Sequence, residues 1–163
     1  LALAVYKILF DKNMTEKLNN YKVDEHKIEK FSDKFSRVWI DDSKATNVDA
    51  VIWALKNFEN KKIYIILGGD DKGADLTPLF EELIKYDVEI FAIGKNQNRL
   101  HEFAGKFNLP IKLCELLENA INEIHKIHNK NSIAMLSPAA ASLDQFSGYK
   151  HRGQMFKKFV ENL

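Results

Sequence analysis

Three near-continuous apolar runs constrain the fold of this chain more than any other feature: Ile63-Tyr64-Ile65-Ile66-Leu67, Val88-Glu89-Ile90-Phe91-Ala92-Ile93 and Ser132-Ile133-Ala134-Met135-Leu136. A strand with one wet face alternates apolar and polar residues, whereas a strand covered on both faces does not. Between these runs lie amphipathic stretches near 48–58, 78–86, 96–107 and 116–128, with a last one near 152–162 and a weaker strand at Ile111-Lys112-Leu113. Buried strands alternating with helices define an α/β, Rossmann-like domain, a mostly parallel sheet with helices on both faces. Ahead of it, Ile28, Phe31 and Phe35 precede Arg37-Val38-Trp39-Ile40, and Ser32-Asp33-Lys34 is the expected turn of an N-terminal β-hairpin.

Upstream, Leu1, Val5, Ile8 and Leu9 share one side at helical spacing, and Asn13 with Glu16 forms a capping-box pattern, so residues 1–23 read as two short helices. The apolar start is far shorter than the ~20 residues that cross a bilayer. It also lacks the basic lead-in of a signal peptide. Opening on Leu1 rather than Met, the chain is expected to be a piece of something longer. The 163 residues are 45% hydrophobic and 29% charged, which excludes a disordered or collagenous chain. A net charge of +1 provides no field for gathering a polyanion, so neither nucleic acid nor membrane is an expected partner. Cys114 is the single cysteine and cannot form an internal disulfide.

Ligands of an open α/β sheet bind beyond the carboxyl ends of the strands. Three of the four loops there are unusual. Asp41-Asp42-Ser43-Lys44-Ala45-Thr46-Asn47 mixes carboxylates, a lysine and small hydroxyls, and Asn47 can cap the helix that follows. Gly68-Gly69-Asp70-Asp71-Lys72-Gly73 lacks the spacing and the Ser or Thr of a P-loop; a lysine among carboxylates suits a small ligand of both signs, such as an amino acid. Ser137-Pro138-Ala139-Ala140-Ala141-Ser142 leaves room and exposes backbone amides that could hold a carboxylate. Taken singly, each loop could equally be a capped, glycine-rich or closely packed turn; together they point to one site.

These three segments, with Leu143-Asp144-Gln145-Phe146, Arg152-Gly153 and Phe156, resemble the C-terminal domain of the Mur ligases, and among them the branch that adds D-glutamate. The resemblance spans about 24–163, with 1–23 similar to the helical tail of the central ATPase domain and hinge. It implies an ATP-dependent ligase of peptidoglycan synthesis, cytoplasmic, using ATP and magnesium (Mg2+), whose UDP-sugar domain, P-loop and main magnesium ligands lie in other domains. UDP-N-acetylmuramoyl-L-alanine would be activated as an acyl phosphate and attacked by the amine of D-glutamate, and this segment alone would be inactive. Residue by residue, Ser142, Leu143 and Tyr149 would hold one carboxylate of D-glutamate, and Lys72 with Thr46 the other. Asp42 would contact the ATP ribose, and Lys44 would sit by the phosphates or the incoming amine as the catalytic cation. Lys27 stands where the family commonly has arginine, a point charge in place of a planar fork. Tyr149 replaces an aromatic without a hydroxyl, and Asp71 a small residue.

Other readings are an amide ligase adding a different amino acid or extending folate with glutamate, and a noncatalytic nucleotide- or amino-acid-binding module. His125 and His128 share a helical face and are expected to be solvated rather than metal ligands, as are His101 and His151. Trp39, Trp53, Phe58 and Phe80 are core candidates, and His151-Arg152 with Lys157-Lys158 reads as the polar face of the last helix.

Overall fold

The computed structural model describes residues 24–163, so the helices expected over 1–23 lie outside the described residues. Strands β1 (Glu29–Ser32), β2 (Val38–Asp41), β3 (Lys62–Gly68), β4 (Val88–Ile93), β5 (Ile111–Glu115) and β6 (Ser132–Leu136) alternate with helices α1 (Val48–Leu55), α2 (Thr77–Leu83), α3 (Gln97–Phe107), α4 (Leu117–Ile127) and α5 (Tyr149–Glu161). The six strands form one sheet in the order β1-β2-β6-β3-β4-β5. Only β1 runs antiparallel, pairing Glu29 with Asp41 and Ser32 with Val38. The expected turn at 32–34 is displaced, because Ser32 still pairs; the Asp33 carboxylate closes the turn by accepting from the backbone N–H of Phe35 and Arg37.

The continuous apolar runs are explained by their two packed faces. Along β3, Ile63, Ile65 and Leu67 face one core with α1, α2 and α3, including Val51, Phe80 and Leu100. Tyr64 and Ile66 face the other, against Ile121 and Ile124 of α4 and Phe156 of α5. Trp39 and Phe80 are fully buried, as expected. Phe58 is only partly buried against the first core, and Trp53, expected in the core, is 60% exposed on α1. Cys114 is buried, and burial pushes its thiol up to about 11, consistent with an inert packed residue.

Of the histidines expected to be solvated, His125 on α4 is half-buried and His128, the residue that follows α4, is buried. His128 is buried, with Nδ1 against Ser132 Oγ at 2.6 Å and Nε2 3.0 Å from the Val38 carbonyl. Arg37 donates to the His125 carbonyl and lies 2.7 Å from His125 Nδ1, while its Nε donates to Asp33 at 2.6 Å. Both histidines therefore lock the hairpin to α4.

Two buried groups titrate with opposite effect. Burial pushes Asp42 up to about 6 from 3.8, so between those values the folded protein holds a proton that the unfolded chain lacks, and stability falls as pH rises. Burial, aided by the Arg37 charge, pushes His128 down to about 4 from 6.5, so the unfolded chain holds the extra proton and stability falls as pH drops. The slopes overlap and oppose each other between pH 4 and 6. The urea midpoint of Asp42→Asn is accordingly expected to climb with pH across this window, and that of His128→Gln to decline. Parallel profiles for the two variants would refute this pairing.

Candidate functional site

The strand order sets β6 between β2 and β3, with Leu136 opposite both Asp41 and Ile66. The loops leaving these three strands therefore emerge side by side. The loop after β6 laces the other two together, one residue at a time. Ser137 Oγ donates to Asp42 at 2.6 Å, and the Pro138 carbonyl accepts from Gly68 N–H. Ala139 N–H donates to the Ala45 carbonyl, and Ala141 exchanges both backbone bonds with Asp70 in an antiparallel bridge. The backbone amides expected to receive a carboxylate at Ala139 and Ala141 are thus already engaged, so the alanines serve close packing of loop on loop. Gly69 shows how close: at φ +140°, a Cβ there would lie 2.2 Å from the Ala141 carbonyl oxygen.

Arg152 completes this lacing from α5. Expected on a polar helix face, it is instead 1% exposed. Its Nε donates to Ser43 Oγ, and one terminal nitrogen donates to the carbonyls of Ser43 and Ala140. Ser43 Oγ in turn donates to the Tyr149 carbonyl. The other terminal nitrogen of Arg152 has no protein partner among the described residues, and burial lowers the guanidinium to about 10.

Lys27, Asp42 and Lys44 come together in a cleft of about 310 Å³ with Ile28, Ala50 and the exposed Trp53. Asp42 is 3% exposed, and its oxygens accept from Ser137 Oγ and Ile28 N–H. Lys44 pairs with Asp24 at 2.5 Å, and its backbone N–H donates to the His26 carbonyl. Lys27 lies between two left-handed residues, His26 (φ 63°) and Ile28 (φ 50°), a strained backbone held by those anchors. Two ammonium groups, a carboxylate and an exposed indole suit a ligand with an anionic end and a flat apolar end.

Lys72 lines a separate cleft with Asp70, Asp71, Lys95, Asn96 and Arg99, sharing no residue with the first. It is exposed, in the left-handed region at φ 52°. Ser142 follows directly on the Ala141 bridge to the Lys72 loop and is 3% exposed, whereas Leu143 is 70% exposed. Thr46 is exposed beside Ala45, and Tyr149 is half-buried with its ring edge-on to His26. Thr46, Lys72 and Ser142 therefore sit along one rim, on loops directly bonded to one another, but not in one cleft. No side-chain hydrogen bond engages the Thr46 hydroxyl, the Lys72 ammonium or the Ser142 hydroxyl among the described residues.

The sequence reading passed over the fourth loop, after β4. Gly94 (φ 70°) has no room for a Cβ, which would meet Asp144 Oδ2 at 2.4 Å. Lys95 N–H donates to that same carboxylate oxygen. Asn96 Oδ1 accepts from Gly69 N–H, and Asn96 and Arg99 both donate to Asp71. A glycine directly after a buried strand was the available signal. His26, which precedes Lys27 in the segment that resembles the family, is buried with Nδ1 2.6 Å from Asp41 Oδ2, a pairing that no local pattern signals. His26, Glu29 and Asp41 lie close enough to hold an ion, but Lys157 Nζ stands 2.6 Å from Glu29 and 3.8 Å from Asp41, an ammonium in the cation position.

The fold first defines a class. Solved structures with the same fold include UDP-N-acetylmuramate-alanine ligase from Thermotoga maritima (TM-score 0.61, 16% identity, 96% of this chain and 35% of that one). Others from that organism are a MurF ligase in complex with ADP (TM-score 0.60, 16% identity, 98% and 37%) and a folylpolyglutamate synthase (TM-score 0.59, 15% identity, 89% and 32%). No family model matches the chain. Sequence similarity is more particular: the chain is 50% identical over 151 residues to UDP-N-acetylmuramoylalanine--D-glutamate ligase of Helicobacter pylori, covering 93% of this chain. It is 44% identical over all 163 residues to the ligase of that name from Campylobacter jejuni. The chain belongs to the Mur ligases, as the C-terminal domain of the D-glutamate ligase branch. It spans 36–40% of the length of these relatives.

If the lacing is as tight as Gly69 indicates, Gly69→Ala is expected to cost about 3 kcal/mol, since it combines a positive φ with a backbone clash. Gly73→Ala, also at positive φ (76°) but with open space around the new Cβ, is expected to cost about 1 kcal/mol. Chemical denaturation of the two variants tests the contrast; equal losses would mean that conformation alone, without loop contact, sets the cost.

Proposed function

We propose that this domain closes the active site of an ATP-dependent ligase that joins D-glutamate to UDP-N-acetylmuramoyl-L-alanine in peptidoglycan synthesis. The supporting observation is the rim itself: two lysine-bearing clefts, on loops sewn to each other by residues 137–141, beside unengaged hydroxyls of Thr46 and Ser142. Residues 1–23 would belong to the central domain and its hinge, and 24–163 to the closing domain. Because ATP is the energy source, the reaction is assigned to the cytoplasm. No helix among the described residues is long and apolar enough to cross a membrane.

In this reading Lys72 and Thr46 bind one carboxylate of D-glutamate, and Ser142, with the backbone at Leu143 and Tyr149, binds the other. Charge-assisted hydrogen bonds from an ammonium are the strong ones available to a carboxylate. Holding both ends of the amino acid leaves its amine free to be aimed at the acyl phosphate, which lowers the barrier by proximity. The Asp42–Lys44 cleft takes ATP: Asp42 toward the ribose, Lys27 toward the phosphates, and Trp53 offering a flat apolar surface. Lys44, positioned by Asp24 and the His26 carbonyl, offsets negative charge that grows as the amine attacks and the tetrahedral intermediate forms. Magnesium does not fit the described residues. Lys157 stands against Glu29 and Asp41 of the one histidine–carboxylate group among them whose atoms lie close enough to hold an ion, and both oxygens of Asp42 accept hydrogen bonds. Its ligands are assigned to the central domain.

In the complete ligase, Lys72→Ala is expected to raise KM for D-glutamate by at least about tenfold, the loss of one charge-assisted contact, while KM for ATP changes less than about threefold. Steady-state kinetics with each substrate varied in turn checks this. An equal rise in both constants would remove Lys72 from the amino-acid site.

A further inference from the structure

The loop that carries Lys72 is a poor place, by composition, to receive a dicarboxylate. Asp70, Asp71 and Asp75 surround the lysine in sequence and would both repel the ligand and compete for the ammonium. The structure resolves this by covering each carboxylate from elsewhere. Asp75 accepts from Thr77 N–H at the start of α2, and Asp70 lies 3.4 Å from Lys95 Nζ. Asp71 is the most completely covered: its Oδ2 accepts from Arg99 at 2.6 Å and from Asn96 at 2.9 Å, and its Oδ1 accepts from Gly73 N–H. Burial raises the Asp71 carboxyl, but the hydrogen bonds from Asn96 and Gly73 together with the Arg99 charge outweigh it and hold the group below the usual carboxylate range. Arg99 also donates to the Ala74 carbonyl, so its fork spans the two residues between.

Those two residues are Lys72 and Gly73, consecutive left-handed positions at φ 52° and 76°. Left-handed backbone is strained at a lysine and persists only where neighbours impose it. Here the imposing groups are Asp70, whose Oδ1 accepts from Lys72 N–H, and the flanking Asp71 and Ala74, the last two held by Arg99. We propose that Arg99, acting through Asp71, is a positioning residue that presents Lys72 and neutralises its nearest competitor, and so sets the affinity of this site for a dicarboxylate amino acid. The proposal rests on the assignment of Lys72 to that ligand. Without Arg99, the Asp71 carboxylate keeps Asn96 and the Gly73 N–H but loses its only charged partner, and the adjacent Lys72 ammonium folds back onto it.

The test is kinetic, in the complete ligase. Arg99→Ala is expected to raise KM for D-glutamate about tenfold with kcat and KM for ATP within about threefold. Arg99→Lys, which keeps the charge and loses the fork, should recover part of that loss. In a Lys72→Ala background, Arg99→Ala should add less than about twofold, because the residue it positions is gone. A D-glutamate KM unchanged in Arg99→Ala, or a rise undiminished in the Lys72→Ala background, overturns the positioning role while leaving Lys72 in place. A Lys72→Ala enzyme with unaltered D-glutamate KM overturns both the assignment of Lys72 and the proposal built on it.

Discussion

The rim of this domain depends on the segment 137–141, where Ser137 and Ala139 bond to the loop after β2 while Pro138 and Ala141 bond to the end of β3 and the loop beyond it. Parallel sheets bring the ends of their strands to one edge, but the loops leaving that edge have no inherent reason to touch. In this chain the third loop lies between the other two because β6 lies between β2 and β3. Small side chains let its backbone make the contact directly. Alanine and glycine here act as spacers of minimal thickness; Gly69 and Gly94 each stand where a Cβ would strike a neighbouring loop, and Gly68 where it would strike the Ile93 carbonyl at the end of β4.

Much of the architecture was legible in the sequence because it follows from burial. Short, isoleucine-rich apolar runs such as 63–67, alternating with amphipathic stretches, read as central strands, and Asn47 caps α1 as its side chain dictates, accepting from Ala50 N–H. The misreadings share a physical cause. Trp53 and Arg152 were placed by residue type, but an indole can line a cleft and a guanidinium can be buried when carbonyls surround it. Periodicity says which face a residue occupies, not what waits opposite. His128 likewise faces Ser132 and the Val38 carbonyl, partners that no local pattern announces.

Legibility of the site was of a different kind. Asp42 and Lys44 are near neighbours in sequence, and the β1–β2 hairpin brings Lys27 back to share their cleft. Thr46, Lys72 and Ser142 are far apart, and their placement on adjoining loops follows from topology alone. The loop after β4 escaped notice because its contribution is indirect: Gly94, Asn96 and Arg99 hold the residues that face outward. Its composition is unremarkable, and only coordinates reveal that the Lys72 loop leans on it.

Arg152 reaches Ser43 across 109 residues of sequence and ties it to Ala140, from a helix that is the last element of the described chain. During synthesis, then, the sheet can assemble before this tie exists, and the β2 loop waits for α5 to emerge from the ribosome. Contacts of such long sequence separation are slow to close. The tie from α5 to the β2 loop is therefore a late contact, added to a rim that residues 137–141 can already lace.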